Sequence, residues 1–97
     1  MAAYVVGEVT VTDDAWVEEY GAKIEHSIGQ HGGRFIARGS PDEKLEGKRP
    51  LPNSLVIIEF PTLDLARAWY HDPDYKPLIA LRQTGSTCEI TLIDGSQ

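Results

Sequence analysis

Segments 4–11, 34–39, 54–60 and 87–93 each read as a β-strand, and sorting their residues by parity gives two sets of opposite character. One set runs through Val5, Gly7, Val9, Val11, Phe35, Ala37, Val56, Ile58, Phe60, Cys88, Ile90 and Leu92, and it carries no charge. Such a face is stable only beneath a layer of helices. The other set mixes Tyr4, Val6, Ile36, Leu55, Ile57 and Ile93 with Glu8, Arg34, Arg38, Glu59 and Glu89. It is too apolar for water and too charged for a core. Four strands about 4.8 Å apart and about seven residues long make a face of roughly 440 Å², the size at which an exposed patch marks an interface. The expectation is a sheet with helices on one side and a second copy of the chain on the other, a homodimer.

The connections fit that layering. Thr12 or Asp13 can cap a helix in which Val17, Tyr20, Gly21, Ile24 and Ile28 recur at helical spacing, with Glu18, Glu19, Lys23 and Glu25 outside. Gly32-Gly33 stops it. Residues 40–53 form a charged, proline-bearing excursion that should protrude. Leu65, Ala66, Ala68 and Trp69 make one side of a short helix broken at Asp72-Pro73-Asp74, and a second short helix over 76–83 takes Pro77 in its first turn. The order is β-α-β-β-α-β, an α+β ferredoxin-like fold with a four-stranded antiparallel sheet, occupying residues 1–97 as one domain.

Composition removes several classes of function. The net charge is −6 and no basic run exceeds Lys48-Arg49, which argues against nucleic acid and against anionic membrane surfaces. No stretch is apolar enough to span a bilayer, and Met1-Ala2-Ala3-Tyr4 does not resemble a leader, so the expected location is cytoplasmic. Cys88 alone forms no internal disulfide and is expected to be buried and unreactive. His26, His31 and His71 show no metal-ligand spacing, and no dinucleotide or phosphate-loop motif is present, so neither metal nor organic cofactor is expected.

Gly32-Gly33-Arg34-Phe35, Glu46-Gly47, Val56-Ile57-Ile58-Glu59-Phe60-Pro61, Ala68-Trp69-Tyr70, Asp72-Pro73-Asp74-Tyr75 and Leu81-Arg82 together resemble the domain-of-unknown-function 1330 family, from Tyr4 to Gly95. The resemblance implies a dimeric α+β barrel, in which two four-stranded sheets face each other with the helices outside. That superfamily includes cofactor-independent monooxygenases and muconolactone isomerases. The family itself implies no general reaction.

Candidate site residues follow from the mixed face and the aromatic segment. In the ferredoxin-like order the first and third strands are neighbours, which places Glu8 and Glu59 together as candidate catalytic carboxylates, with Arg34 and Arg38 on the same face. These charges make either an ion-pair set within the dimer or a site for a small carboxylated or enolic ligand. Trp69, Tyr70 and Tyr75 are either core or the walls of a ligand site, and Arg82 either caps its helix or binds an anion. Two functions stay open. One is an enzyme without an organic cofactor, acting on an enolisable, aromatic or carboxylated small molecule. The other is a non-catalytic homodimeric binding or interaction module.

Overall fold

The computed structural model describes residues 2–95. Its elements are β1 (Ala3–Val11), a 3-10 turn (Asp14–Trp16), α1 (Val17–Gly29), β2 (Arg34–Gly39), β3 (Ser54–Phe60), α2 (Leu63–Tyr70), α3 (Lys76–Gln83) and β4 (Ser86–Asp94). The four strands lie in the order β2-β3-β1-β4, with every neighbouring pair antiparallel, which is the expected ferredoxin-like α+β sheet.

Local chemistry sets the element boundaries. The Asp13 carboxylate accepts from the Ala15 amide at 2.9 Å and the Thr62 hydroxyl from the Leu65 amide at 3.1 Å, each satisfying a free donor at a helical start. At the end of α1 the Gly33 amide donates to the Ile28 carbonyl at 2.9 Å, and Gly32 takes φ +79°, a conformation open to glycine. Gly33 has a separate reason to lack a side chain: a Cβ there would stand 2.5 Å from Cε1 of Phe60. The Asp72 carboxylate accepts from the Asp74 amide at 2.8 Å and turns the chain from α2 into α3. The Thr12 and Asp13 amides both donate to the Gly85 carbonyl, at 2.8 and 3.0 Å, which fastens the start of α1 beside the end of α3.

The core lies between the sheet and the helices. Trp69 is its centre, with ring centroids 4.5 Å from Tyr75 and 5.5 Å from Phe60, and its indole N–H donates to the Ser27 hydroxyl at 3.2 Å. Ile24, Ile28, Ile58 and Leu78 close around it. On the opposite side of the sheet Val6, Leu55 and Ile57 are half-buried and Ile93 is exposed. Residues 40–53 contain no helix or strand.

Two expectations from strand parity need correction. Strand β2 carries a bulge between Phe35 and Ala37, so that Phe35 pairs with Ile58 but Ala37 with Ile57 and Arg38 with Val56. The extra residue reverses the alternation. Ala37 therefore joins the open face, and Arg38 leaves Arg34 for the helix side, where it lies 3.2 Å from Glu25 of α1 and 4.3 Å above the Phe35 ring. The second correction concerns Glu8 and Glu59. They share a face but not a place: Glu59 is opposite Tyr4, whereas Glu8 is opposite Leu55, four residues along, or about 13 Å at strand rise. The carboxylate across from Glu8 is Glu89 of β4. Cys88, expected to be buried, is half-buried.

Candidate functional site

Helix α1 rests on the sheet through Ile24 and Ile28. A hollow of about 270 Å³ lies between sheet and helix, and Gly7, Val9 and Val56 are among the sheet residues that line it. Its floor is the helix side of the sheet, which parity gives as charge-free and to which the bulge in β2 adds Arg38. Gly7 keeps it open, because a Cβ there would come within 2.9 Å of Val56 Cγ2. Phe35, Ile58 and Ile90 extend the apolar walls, with Tyr20 and Trp16 above. The charged side chains on the walls are Arg38 and Arg82, and no Asp, Glu or His lies among the lining residues.

Arg82 is 4% exposed. Its Nη1 donates to the Tyr75 hydroxyl at 2.8 Å and to the Tyr20 hydroxyl at 3.2 Å, and the two phenols are 2.9 Å apart. Among the described residues no carboxylate stands within ion-pair distance of it, and its Nε–H is buried without a partner. Burial alone would pull the guanidinium toward neutrality, but the phenol oxygens of Tyr75 and Tyr20 outweigh it and hold the group above its ordinary pKa. It stays charged. Burial likewise pushes the Tyr75 phenol well up, with Tyr20 adding and Arg82 opposing, so Tyr75 keeps its proton. The result is a buried cation flanked by two phenols at the edge of an apolar hollow.

The remaining candidates are scattered by the fold. Arg82 and Tyr75 meet in this cluster, and Trp69 lines the same hollow while serving as the centre of the core. Tyr70 is edge-on to Trp69 at 6.0 Å and faces a separate hollow between α2 and β4, with Arg67 and His71. Arg34 and Glu59 form an ion pair on the open face, 2.8 Å apart, with side chains 72% and 25% exposed. Glu8 has Arg49 of the excursion at 3.9 Å. Arg38 reaches the hollow's rim, where Glu25 balances its charge. Arg82 stands in the last turn of α3, with its Nη1 donating to the two phenols. Helical spacing puts Tyr20 on the inner side of α1, but it links neither the Tyr20 hydroxyl to Tyr75 nor Trp16 to the cluster. The signal available was the spacing of Trp16 and Tyr20, four residues apart on one helical face. Their rings meet edge-on at 5.3 Å.

Solved structures share this architecture. RPA0582, a protein of unknown function from Rhodopseudomonas palustris, superposes with a TM-score of 0.82 at 15% identity, over 99% of this chain and 83% of its own. SnoaB, a cofactor-independent oxygenase from Streptomyces nogalater, gives 0.68 at 22% identity, over 99% and 94%. A dimeric protein of unknown function and ferredoxin-like fold from Bacteroides fragilis gives 0.55 at 16%, over 96% and 95%. These likenesses establish the class, a ferredoxin-like α+β protein. Residues 2–96 match the family described as a domain of unknown function, DUF1330, and the chain belongs to that family. No curated protein matches it. Among the described residues, no helix is long and apolar enough to cross a membrane.

Proposed function

We propose that the hollow beneath α1 receives a small organic molecule that carries or develops negative charge, and that Arg82, Tyr20 and Tyr75 hold that charge. The observation that carries this reading is the buried Arg82 without a counter-ion. Arginine is almost never fully buried unless paired, and removing an ion from water costs several kcal/mol. An anion entering the hollow completes the pair. The apolar floor of Val9, Val56 and Ile58 suits an aromatic or otherwise flat body.

SnoaB is a cofactor-independent oxygenase, and conversion of the bound molecule without an organic cofactor is the reaction class this arrangement suits. Arg82 and the phenol donors stabilise an oxyanion or enolate as it forms. A second reading, binding without turnover, has its own support: with no Asp, Glu or His among the lining residues, the walls supply no general base. The ligand then arrives already ionised or loses its proton to solvent. We assign the Arg34–Glu59 pair and Glu8 to an interface rather than to chemistry, with the mixed face of the sheet covered by a second copy of the chain. A thermal-shift screen of aromatic and enolic anions tests the site. Stabilisation of the parent that disappears in Arg82→Gln supports it, and failure of every anion to bind overturns it. Product formation from a bound ligand in air separates turnover from binding.

A further inference from the structure

We infer that the hollow is entered from the side, across Gly21 of α1, and that this position is glycine because a side chain there would stand in the mouth. This rests on the reading of the hollow as a ligand site and adds the way into it. Most of the lining is buried or half-buried, and the lining residues that are exposed are Val17, Gly21 and Arg38. The hollow therefore meets solvent between one edge of α1 and the end of β2.

Neither the backbone nor the packing asks for glycine at this position. Gly21 stands in the second turn of α1, inside the helix, where glycine has more conformational freedom to lose than alanine and weakens the element. Positive φ falls on Gly32 and Gly47, so Gly21 needs no left-handed conformation. A Cβ built on it would have nothing within 4 Å, whereas one on Gly7 or Gly33 would meet a neighbouring side chain under 3 Å away. An alanine would fit and would strengthen the helix. What a side chain at this position would change is the hollow, which Gly21 lines.

The ends of the mouth are set one turn to either side. Val17 and Glu25 lie four residues before and after Gly21, in one row along the helix. Glu25 holds Arg38 at 3.2 Å, and the Arg38 guanidinium lies 4.3 Å above the Phe35 ring, so this pair ties β2 to α1 and closes one end. Val17, exposed, forms the lip at the other end. Along the helix axis the two are about 12 Å apart at about 1.5 Å per residue, and the position between them in the row carries no side chain.

Gly21→Ala and Gly21→Leu test this, with Ala22→Leu as the control, since Ala22 is exposed and is not among the lining residues. Trp16 and Trp69, the chain's two tryptophans, both line the hollow. A nitroaromatic anion, 4-nitrobenzoate, therefore quenches their fluorescence on entry, and temperature-jump relaxation of that signal gives the association rate. Gly21→Ala is expected to melt about 4 to 8 °C above the parent and to associate several-fold more slowly. Gly21→Leu associates about tenfold or more slowly, because the mouth is crowded, and Ala22→Leu keeps the parental rate. Should Gly21→Leu not fold, Gly21→Ala reads the same rate with no neighbour to disturb. A folded Gly21→Leu that binds at the parental rate overturns the mouth while the anion site stands. Equal slowing in Ala22→Leu also overturns it, since the effect then belongs to the helix surface. No quenching of the parent overturns the hollow as the site, and the mouth with it.

Discussion

Replacing Arg82 with methionine separates a ligand-binding arginine from a structural one. The substitution keeps an unbranched apolar stem in the same space and removes the guanidinium. Two hydrogen bonds from a charged donor are lost, those at 2.8 and 3.2 Å, at about 1.5 kcal/mol each, or about 3 kcal/mol together. Against this stands relief of the desolvation of a buried ion, which is several kcal/mol. Neither phenol is orphaned, because Tyr20 and Tyr75 remain hydrogen-bonded to each other at 2.9 Å. The net effect lies between a loss of about 1 kcal/mol and a gain of a few. In a domain of this size a loss of 1 kcal/mol lowers Tm by about 4 to 8 °C. Thermal unfolding followed by circular dichroism at neutral pH, paired with calorimetric titration of 4-nitrobenzoate, reads both consequences. The expected variant melts no more than about 8 °C below the parent and has lost the ligand. A fall of about 3 kcal/mol or more, of the order seen when a buried pair is broken, refutes the reasoning and makes Arg82 a core residue.

Glu59→Gln reports on the open face. Within one subunit the Arg34–Glu59 pair is largely exposed on the arginine side and is worth under about 1 kcal/mol, so a loss of several kcal/mol that deepens on dilution, followed by denaturant melts at two concentrations, means that a second subunit covers the pair. Asp72 is held below the ordinary carboxylate range, first by the Asp74 amide and then by His31, whose Nε2 lies 2.8 Å away. A lowered folded pKa gives stability that is present above the unfolded value, near 4, and is lost as pH falls through the folded one. Parent Tm should therefore fall below about pH 4, and Asp72→Asn should flatten that part of the profile; an unchanged profile contradicts the assignment. Gly33→Ala places a methyl 2.5 Å from Phe60 Cε1 and should cost about 1 to 3 kcal/mol by denaturant titration, whereas a neutral effect means the ring moves freely.

Strands β1, β3 and β4 were legible because their alternation is unbroken: Val5 and Ile58 are buried while Val6 and Ile57 on the other face are half-buried. Strand β2 was not, because a bulge adds one residue without changing composition, and nothing in Arg34 to Gly39 marks Ile36 as the residue left without a partner. Parity names a face and not a register, which is why Glu8 and Glu59 were expected together and lie apart. Helix α1 and its stop at Gly32 were readable from spacing and from glycine's freedom at positive φ. The cluster of Tyr20, Tyr75 and Arg82 was only half readable. Arg82 and Tyr75 share the α3 region, but Tyr20 is 55 residues from Tyr75 along the chain and 62 from Arg82, and no local pattern announces a contact made by packing. The hollow was hidden for a related reason. A sequence shows that Gly7, Val9 and Val56 are small and apolar, but not that α1 stands away from them.

The hollow beneath α1 is the proposed binding site, and the open face with Glu8 and Glu59 is not. A crystal structure of the full chain grown with 4-nitrobenzoate tests this most directly. The predicted result is the ring lying over Val9 and Val56 in the hollow, with its carboxylate turned toward the cluster of Arg82, Tyr20 and Tyr75. A ligand seated beside Arg34 and Glu59, with the hollow beneath α1 empty, contradicts it.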